Sequence, residues 1–203
     1  MRCPPYLCSV TTDTWQLFFA LLTLVAMGGV LLLVVLRVAA GMGNAMAADI
    51  GRSITDAGVW LAFLVAATAT FGSLYFSEVA GFVPCRLCWF QRIAMYPLTA
   101  ILLVGALRRD PDVRWYVAPI AVIGAGIAAY HNLIEWRPSL DTGSCDLSGP
   151  SCTAVWFREF GFISLATMAL VGFVSILALV WIRFPAPPAD DDASRSIEEL
   201  ETV

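Results

Sequence analysis

The chain has 203 residues, of which 59% are hydrophobic and 14% charged, against roughly 25% charged in an ordinary soluble domain. So apolar a composition excludes disorder over most of the chain, and the lack of a basic surface excludes a nucleic-acid module. The formal charge of −4 is local: the last twenty residues hold six acids and one Arg, a charge of −5, which leaves +1 for the other 183.

Residues 1–13 carry Cys3 and Cys8 and precede the first apolar window. That window, 14–36, contains no Asp, Glu, Lys or Arg. It can cross ~30 Å of hydrocarbon at ~1.5 Å per residue. It is too long for the apolar region of a signal peptide, roughly 7–15 residues, and Arg2 is the only base before it. Residues 37–56 follow as a linker with Arg37 and Arg52. Ser53-Ile54-Thr55-Asp56 has the spacing of a helix N-terminal capping box, which predicts that the second span starts just after it.

The uncharged windows 57–77, 115–134 and 160–182 are each long enough to span. The window 93–107 is short, and becomes a span if its helix begins near Trp89 and carries Arg92 in the first turn. In lipid the backbone must bond internally, so all five windows are read as helices. Pro97 and Pro119 lie inside spans three and four, where membrane helices tolerate kinks. The predicted fold is an all-α polytopic membrane protein: a four-helix bundle over 57–183, one additional N-terminal transmembrane helix, and an acidic disordered tail over 184–203.

The loop Arg108–Arg114 holds three bases in seven residues and is the best cytoplasmic candidate. Alternation then puts 37–56 and the C-terminus inside, and the N-terminus, 78–91 and 135–159 outside. All six cysteines (Cys3, Cys8, Cys85, Cys88, Cys145 and Cys152) fall on the outer, oxidising face, where disulfide chemistry is possible.

Pro84-Cys85-Arg86-Leu87-Cys88-Trp89-Phe90-Gln91-Arg92 is the most informative segment. A disulfide between two cysteines with two residues between them is labile and suits exchange. The reading places Cys88 at the N-terminus of span three, where free backbone N–H groups would favour its thiolate. Arg92, four residues on, shares its helix face. A charge at the bilayer centre costs ~2.5–3.5 kcal/mol, so an intramembrane Arg beside a thiol marks a site, with simple anchoring of a helix end as the alternative. Cys145 and Cys152 flank a Gly- and Pro-containing loop that can bring them together, either as a staple or as a second redox pair. His131, the only His, lies near the outer end of span four, at the level of Cys88, and could handle protons or simply sit at the interface. Glu135 one turn later reads either as its partner or as the start of the loop.

With these residues the chain resembles the DsbB family, the disulfide bond formation proteins of bacterial membranes, over roughly residues 57–183. Pro84 through Arg92 is similar to that family's quinone-reducing motif, Pro-Cys-x-x-Cys-(x)2-Gln-Arg. The loop cysteines follow the membrane pair, whereas the vitamin K epoxide reductase family carries them before it. The resemblance implies a multi-pass protein of the bacterial cytoplasmic membrane. It implies that a DsbA-like extracytoplasmic thioredoxin-fold thiol oxidase gives electrons to the Cys145/Cys152 disulfide, attacking at Cys145. Cys152 would pass them to Cys85, and Cys88 to a quinone, ubiquinone or menaquinone. Arg92 would hold the Cys88 thiolate and the quinone oxygen, with His131 near the quinone. Cys145 and Cys152 are closer in sequence than in the long-loop members, and the span with Cys3 and Cys8 is extra. That pair reads as a structural disulfide, a further redox pair or a covalent link to a partner.

Two other functions compete: a vitamin K epoxide reductase-like quinone reductase, and a non-enzymatic protein with structural disulfides or a four-cysteine zinc site. Gly124-Ala125-Gly126 imitates a dinucleotide fingerprint but lies within a span, and reads as small-residue helix packing. Trp156-Phe157-Arg158-Glu159-Phe160 reads as an amphipathic interfacial segment or an aromatic belt.

Overall fold

A computed structural model describes residues 5–141 and 150–184, with side chains from Thr12 onward. Cys3, Cys145 and the acidic tail lie outside the described residues, and of Cys8 only the helical backbone is described. Six α-helices follow in chain order: α1 (Pro5–Gly41), α2 (Ala45–Asp56), α3 (Gly58–Leu74), α4 (Arg86–Arg108), α5 (Val113–Trp136) and α6 (Leu165–Trp181). A π-helical turn, Tyr75–Val79, prolongs α3, and a 3-10 turn, Pro138–Leu140, follows α5.

The all-α polytopic architecture expected from the sequence is present. Among the described residues, four helices are long and apolar enough to cross a membrane: Thr12–Gly41, Gly58–Val79, Arg86–Arg108 and Val113–Trp136. The fifth, α6, has 17 residues, about 26 Å at ~1.5 Å per residue.

Packing follows from which face of each helix is apolar and small. On α5, Val117, Ala121, Gly124 and Ala128 are buried at helical spacing, and the same stripe continues into His131 and Glu135. On α4 the buried stripe runs Leu87, Gln91, Met95, Leu98 and Leu102. Each of α3, α4, α5 and α6 packs on the next, and α6 closes the ring against α3. Leu98, Leu102, Val117, Phe173 and Ile176 are fully buried at its centre. The close crossing of α5 and α6 depends on Gly124. A Cβ there would come within 2.3 Å of the buried Phe173 ring. Small-residue packing therefore explains Gly124, while Gly126 of the same run has nothing within 4 Å of its would-be Cβ.

Outside the ring, α1 packs on α6 and α2. Trp15 lies against Tyr75 at 5.1 Å and Phe19 against Phe76 at 5.5 Å. Its remaining surface, including Leu21, Leu31 and Val38, is apolar and exposed, as expected of a face meeting lipid.

Four boundaries differ from the sequence expectation. Ser53–Asp56 do not cap the second span; they end α2, whose own N-cap is Asn44, accepting from the Ala47 N–H at 3.0 Å. Helix α3 starts with no side-chain cap at all. Its first residue packs closely on α6: a Cβ on Gly58 would lie 2.7 Å from the Leu179 carbonyl oxygen. Helix α4 starts at Arg86, not Trp89, so Arg92 stands in the second turn. Helix α6 starts at Leu165, not residue 160, because Glu159 and Ile163 form a β-bridge around Phe160 and Gly161, both at positive φ. The Trp156–Phe160 segment is not helical. Its rings turn onto the α3–α4 connection, Trp156 stacked on Phe82 at 4.7 Å and Phe157 against Phe76 at 5.5 Å.

Candidate functional site

Cys85, Cys88, His131 and Cys152 meet at one end of the bundle, where the start of α4, the end of α5 and the loop before α6 converge. Cys85 is the N-cap of α4, and its sulfur accepts from the Cys88 backbone N–H at 3.2 Å. The helix N-terminus therefore serves Cys85, not Cys88 as the sequence reading had it. The extended backbone at Cys85 makes it the capping residue and carries Cys88 into the helix. The thiol of Cys85 is pulled down to about 4, first by the hydrogen bond from the Cys88 side chain and then by His131, against the opposing effect of burial. Cys85 and Cys88 are free thiols. Cys152 is disulfide-bonded.

His131 organises this end through both ring nitrogens. Its Nε2 lies 3.2 Å from the Cys152 carbonyl and 3.8 Å from Cys85 Sγ. A carbonyl only accepts, so Nε2 carries the proton and presents it to the carbonyl and the sulfur together. Nδ1 then accepts from the Gln91 amide at 3.1 Å. One turn on, Glu135 Oε1 is 3.8 Å from Nε2, and Ser164 Oγ donates to Glu135 Oε2 at 2.5 Å. Ser164 also caps α6, accepting from the Thr167 N–H at 3.3 Å. A chain Gln91–His131–Glu135–Ser164 thus runs across α4, α5 and α6 inside the bundle. Gln91 and Ser164 carried no assigned role in the sequence reading. The usable signal for Gln91 was an uncharged polar residue in an apolar helix, three positions after Cys88.

Arg92 is held from α3. Its Nε donates to Ser73 Oγ at 2.9 Å and its Nη2 to the Ser73 carbonyl at 2.8 Å. The guanidinium also lies 5.3 Å from the Trp89 ring centre, a cation–π arrangement. The cost of a cation in this segment is offset by two charge-assisted hydrogen bonds and a ring face.

Two cavities flank the cysteines. A small one is lined by Cys85, Cys88, His131 and Glu135 together with Pro150 and Ser151 of the loop. A large one of about 360 Å³, mostly apolar, runs between α1, α3, α4 and α6. That volume is in the range of small-molecule sites. Cys88, Arg92 and Tyr96, four residues apart along α4, line the large cavity, and Cys85 does not. Tyr96 has a buried hydroxyl with no partner among the described residues. A flat, apolar ring bearing polar oxygens matches that lining: an apolar trough, a fixed cation, a thiol and an unsatisfied hydroxyl.

Metal binding is the other chemistry open to these side chains. Donor atoms of Cys85, Cys88 and His131 all lie within 4.8 Å of one another. A four-thiolate zinc site, however, would need Cys152 as a thiolate, and its sulfur is engaged in a disulfide.

The family model of disulfide bond formation protein DsbB matches residues 55–183. Among its relatives, disulfide bond formation protein C of Bacillus subtilis is 41% identical over 119 residues, 59% of this chain and 86% of that protein. A probable disulfide formation protein C 2 of Bacillus anthracis is 42% identical over 123 residues, 61% of this chain and 87% of that one. A probable disulfide formation protein of Deinococcus radiodurans is 40% identical over 138 residues, 63% of this chain and 90% of that one. No solved structure matches the chain. With a matched region that includes α3 to α6 and every site residue named above, the chain belongs to the DsbB family of disulfide bond formation proteins and is a bacterial membrane disulfide oxidoreductase.

Proposed function

We propose that the protein reoxidises an extracytoplasmic thioredoxin-fold thiol oxidase of the DsbA type and delivers the two electrons to a membrane quinone, ubiquinone or menaquinone. The observation that carries this reading is the position of the CxxC pair between two different spaces. Cys85 borders only the space beside the Cys152 loop, and Cys88 borders both that space and the apolar cavity it shares with Arg92.

In this reading Cys145 is the disulfide partner of Cys152. A partner thiolate attacks Cys145 and frees Cys152 as a thiolate. Cys152 then attacks Cys85 of a Cys85–Cys88 disulfide, forming a Cys85–Cys152 bond and releasing Cys88. The partner's second thiol resolves the first mixed disulfide and leaves oxidised. Cys145 then attacks Cys152, restoring the loop disulfide and freeing Cys85. The two electrons now sit on Cys85 and Cys88, the free-thiol state described above. A bound quinone supplies a two-electron, two-proton acceptor at this point. Arg92, fixed by Ser73, places a positive charge where Cys88 must lose its proton. The proton on His131 Nε2 faces the Cys85 sulfur and supports its anionic form. Re-forming the Cys85–Cys88 bond completes the cycle.

The cysteines then face the extracytoplasmic side and the C-terminus the cytoplasm, in keeping with the Arg-rich α4–α5 loop. Purified protein reconstituted with a quinone and a reduced thioredoxin-fold partner tests the reading. Partner oxidation is expected in the native protein and its loss in Cys88→Ala; normal turnover in Cys88→Ala would overturn it.

A further inference from the structure

Helix α1 lies wholly outside the matched family region, which begins at residue 55. Yet it forms one side of the large cavity. Phe19, Leu22, Thr23 and Ala26, spaced i, i+3, i+4 and i+7, line it from α1 opposite Cys88 and Arg92 of α4. The helix is fixed there. A Cβ on Gly72 would come within 2.8 Å of the Phe19 ring, so the ring seats directly on the α3 backbone. Trp15 and Phe19 also pack on Tyr75 and Phe76. The Thr23 hydroxyl donates to the Phe19 carbonyl of its own helix at 2.8 Å, so this wall presents mainly carbon to the cavity.

We propose that α1 is a selectivity element added to the common bundle: its Phe19–Ala26 face closes the side of the acceptor cavity and sets which lipophilic acceptor tail fits. The proposal rests on the reading of a quinone as acceptor. Without α1, the space between α3 and α6 would open toward lipid beside Cys88. With it, a tail must lie along the Leu22–Ala26 surface. Ala26 is the position where added volume intrudes on that path, and Leu31, on the exposed part of α1 and not a lining residue, supplies the control.

The test is binding, read by calorimetry in the detergent-solubilised full chain, with a benzoquinone whose prenyl tail is long enough to reach Ala26 as probe and a tail-less benzoquinone, expected to bind all variants alike, as reference. Ala26→Trp is expected to raise the Kd by about tenfold or more, the usual cost of overfilling a packed site. Ala26→Leu, which keeps a strong helix former at the position and adds less volume than Trp, is expected to raise it by roughly threefold. Leu31→Trp is expected to leave it unchanged. Native affinity in both Ala26 variants would overturn the role of α1 and leave the quinone reading intact. A native protein that binds no quinone while still oxidising partner thiols would overturn both.

Discussion

The His131 imidazole lies 3.8 Å from the Cys85 sulfur, with its protonated nitrogen turned to that sulfur and to the Cys152 carbonyl at once. The contact joins the end of α5 to the start of α4 and to the loop before α6. It ties Cys85, of the two cysteines in the CxxC pair, to the Cys152 loop through one imidazole.

The low Cys85 value gives a pH prediction. Its thiolate persists above the depressed value and is lost only as pH falls through about 4. Removing the strongest lowering contact, in Cys88→Ala, moves that loss to higher pH. His131→Phe moves it in the same direction by less, because the His131 contributions are smaller. The pH dependence of Cys85 alkylation, followed by mass spectrometry, measures both. Unchanged profiles would show that neither neighbour holds the thiolate.

Ser164 ties two helices with one oxygen, donating to Glu135 and accepting from the Thr167 N–H. Ser164→Ala leaves a buried carboxylate without its donor and α6 without its cap. The expected loss is about 1–3 kcal/mol from the carboxylate and about 1 kcal/mol from the cap. Ser53→Ala, on the exposed side of α2, is expected to stay within about 0.5 kcal/mol. Thermal unfolding in detergent distinguishes them.

Gly124 and Gly126 separate packing from composition. Gly124→Ala forces the fully buried Phe173 ring to move and is expected to cost about 1–3 kcal/mol. Gly126→Ala meets open space, so it is expected to be neutral or stabilising by up to about 1 kcal/mol. Equal unfolding temperatures for the two variants would contradict the α5–α6 packing described.

Arg92→Lys keeps the charge but loses the fork that grips Ser73 twice. On the proposed quinone reading, electron delivery to the acceptor is expected to weaken by on the order of tenfold, since charged hydrogen bonds contribute ~1.5–3 kcal/mol. Ser73→Ala removes only the hydroxyl acceptor and keeps the carbonyl, so a smaller effect is expected. Quinone reduction by pre-reduced protein in single turnover gives the comparison.

Much of this was legible in the sequence because membrane helices announce themselves locally. Uncharged windows marked the spans, and the CxxC, the later cysteines and the lone His131 marked the site. What stayed hidden depends on contacts between helices. Ser73 is an ordinary polar residue until α3 lies beside Arg92. Ser164 looks like any residue of an apolar window until the β-bridge stops that window from being helical to its start. The capping signal at Ser53 misled because it came before an apolar run, when those residues in fact finish the amphipathic helix α2. Assigning the helix N-terminus to Cys88 failed by three residues, one turn, which is the difference between the two members of a CxxC pair. The inward face of α1 had no signature, since a wall of Phe, Leu, Thr and Ala reads like the rest of a span.

The division of labour between Cys85 and Cys88 is tested most directly by trapping the internal transfer. In Cys145→Ala the mixed disulfide formed by Cys152 cannot be resolved by its normal partner. Reducing this variant briefly, letting it reoxidise with quinone, quenching in acid and mapping its disulfide-linked peptides identifies the cysteine that Cys152 attacks. A Cys85–Cys152 linkage with Cys88 free is the expected result. A Cys88–Cys152 linkage would contradict the placement of Cys85 toward the loop and Cys88 toward the acceptor cavity.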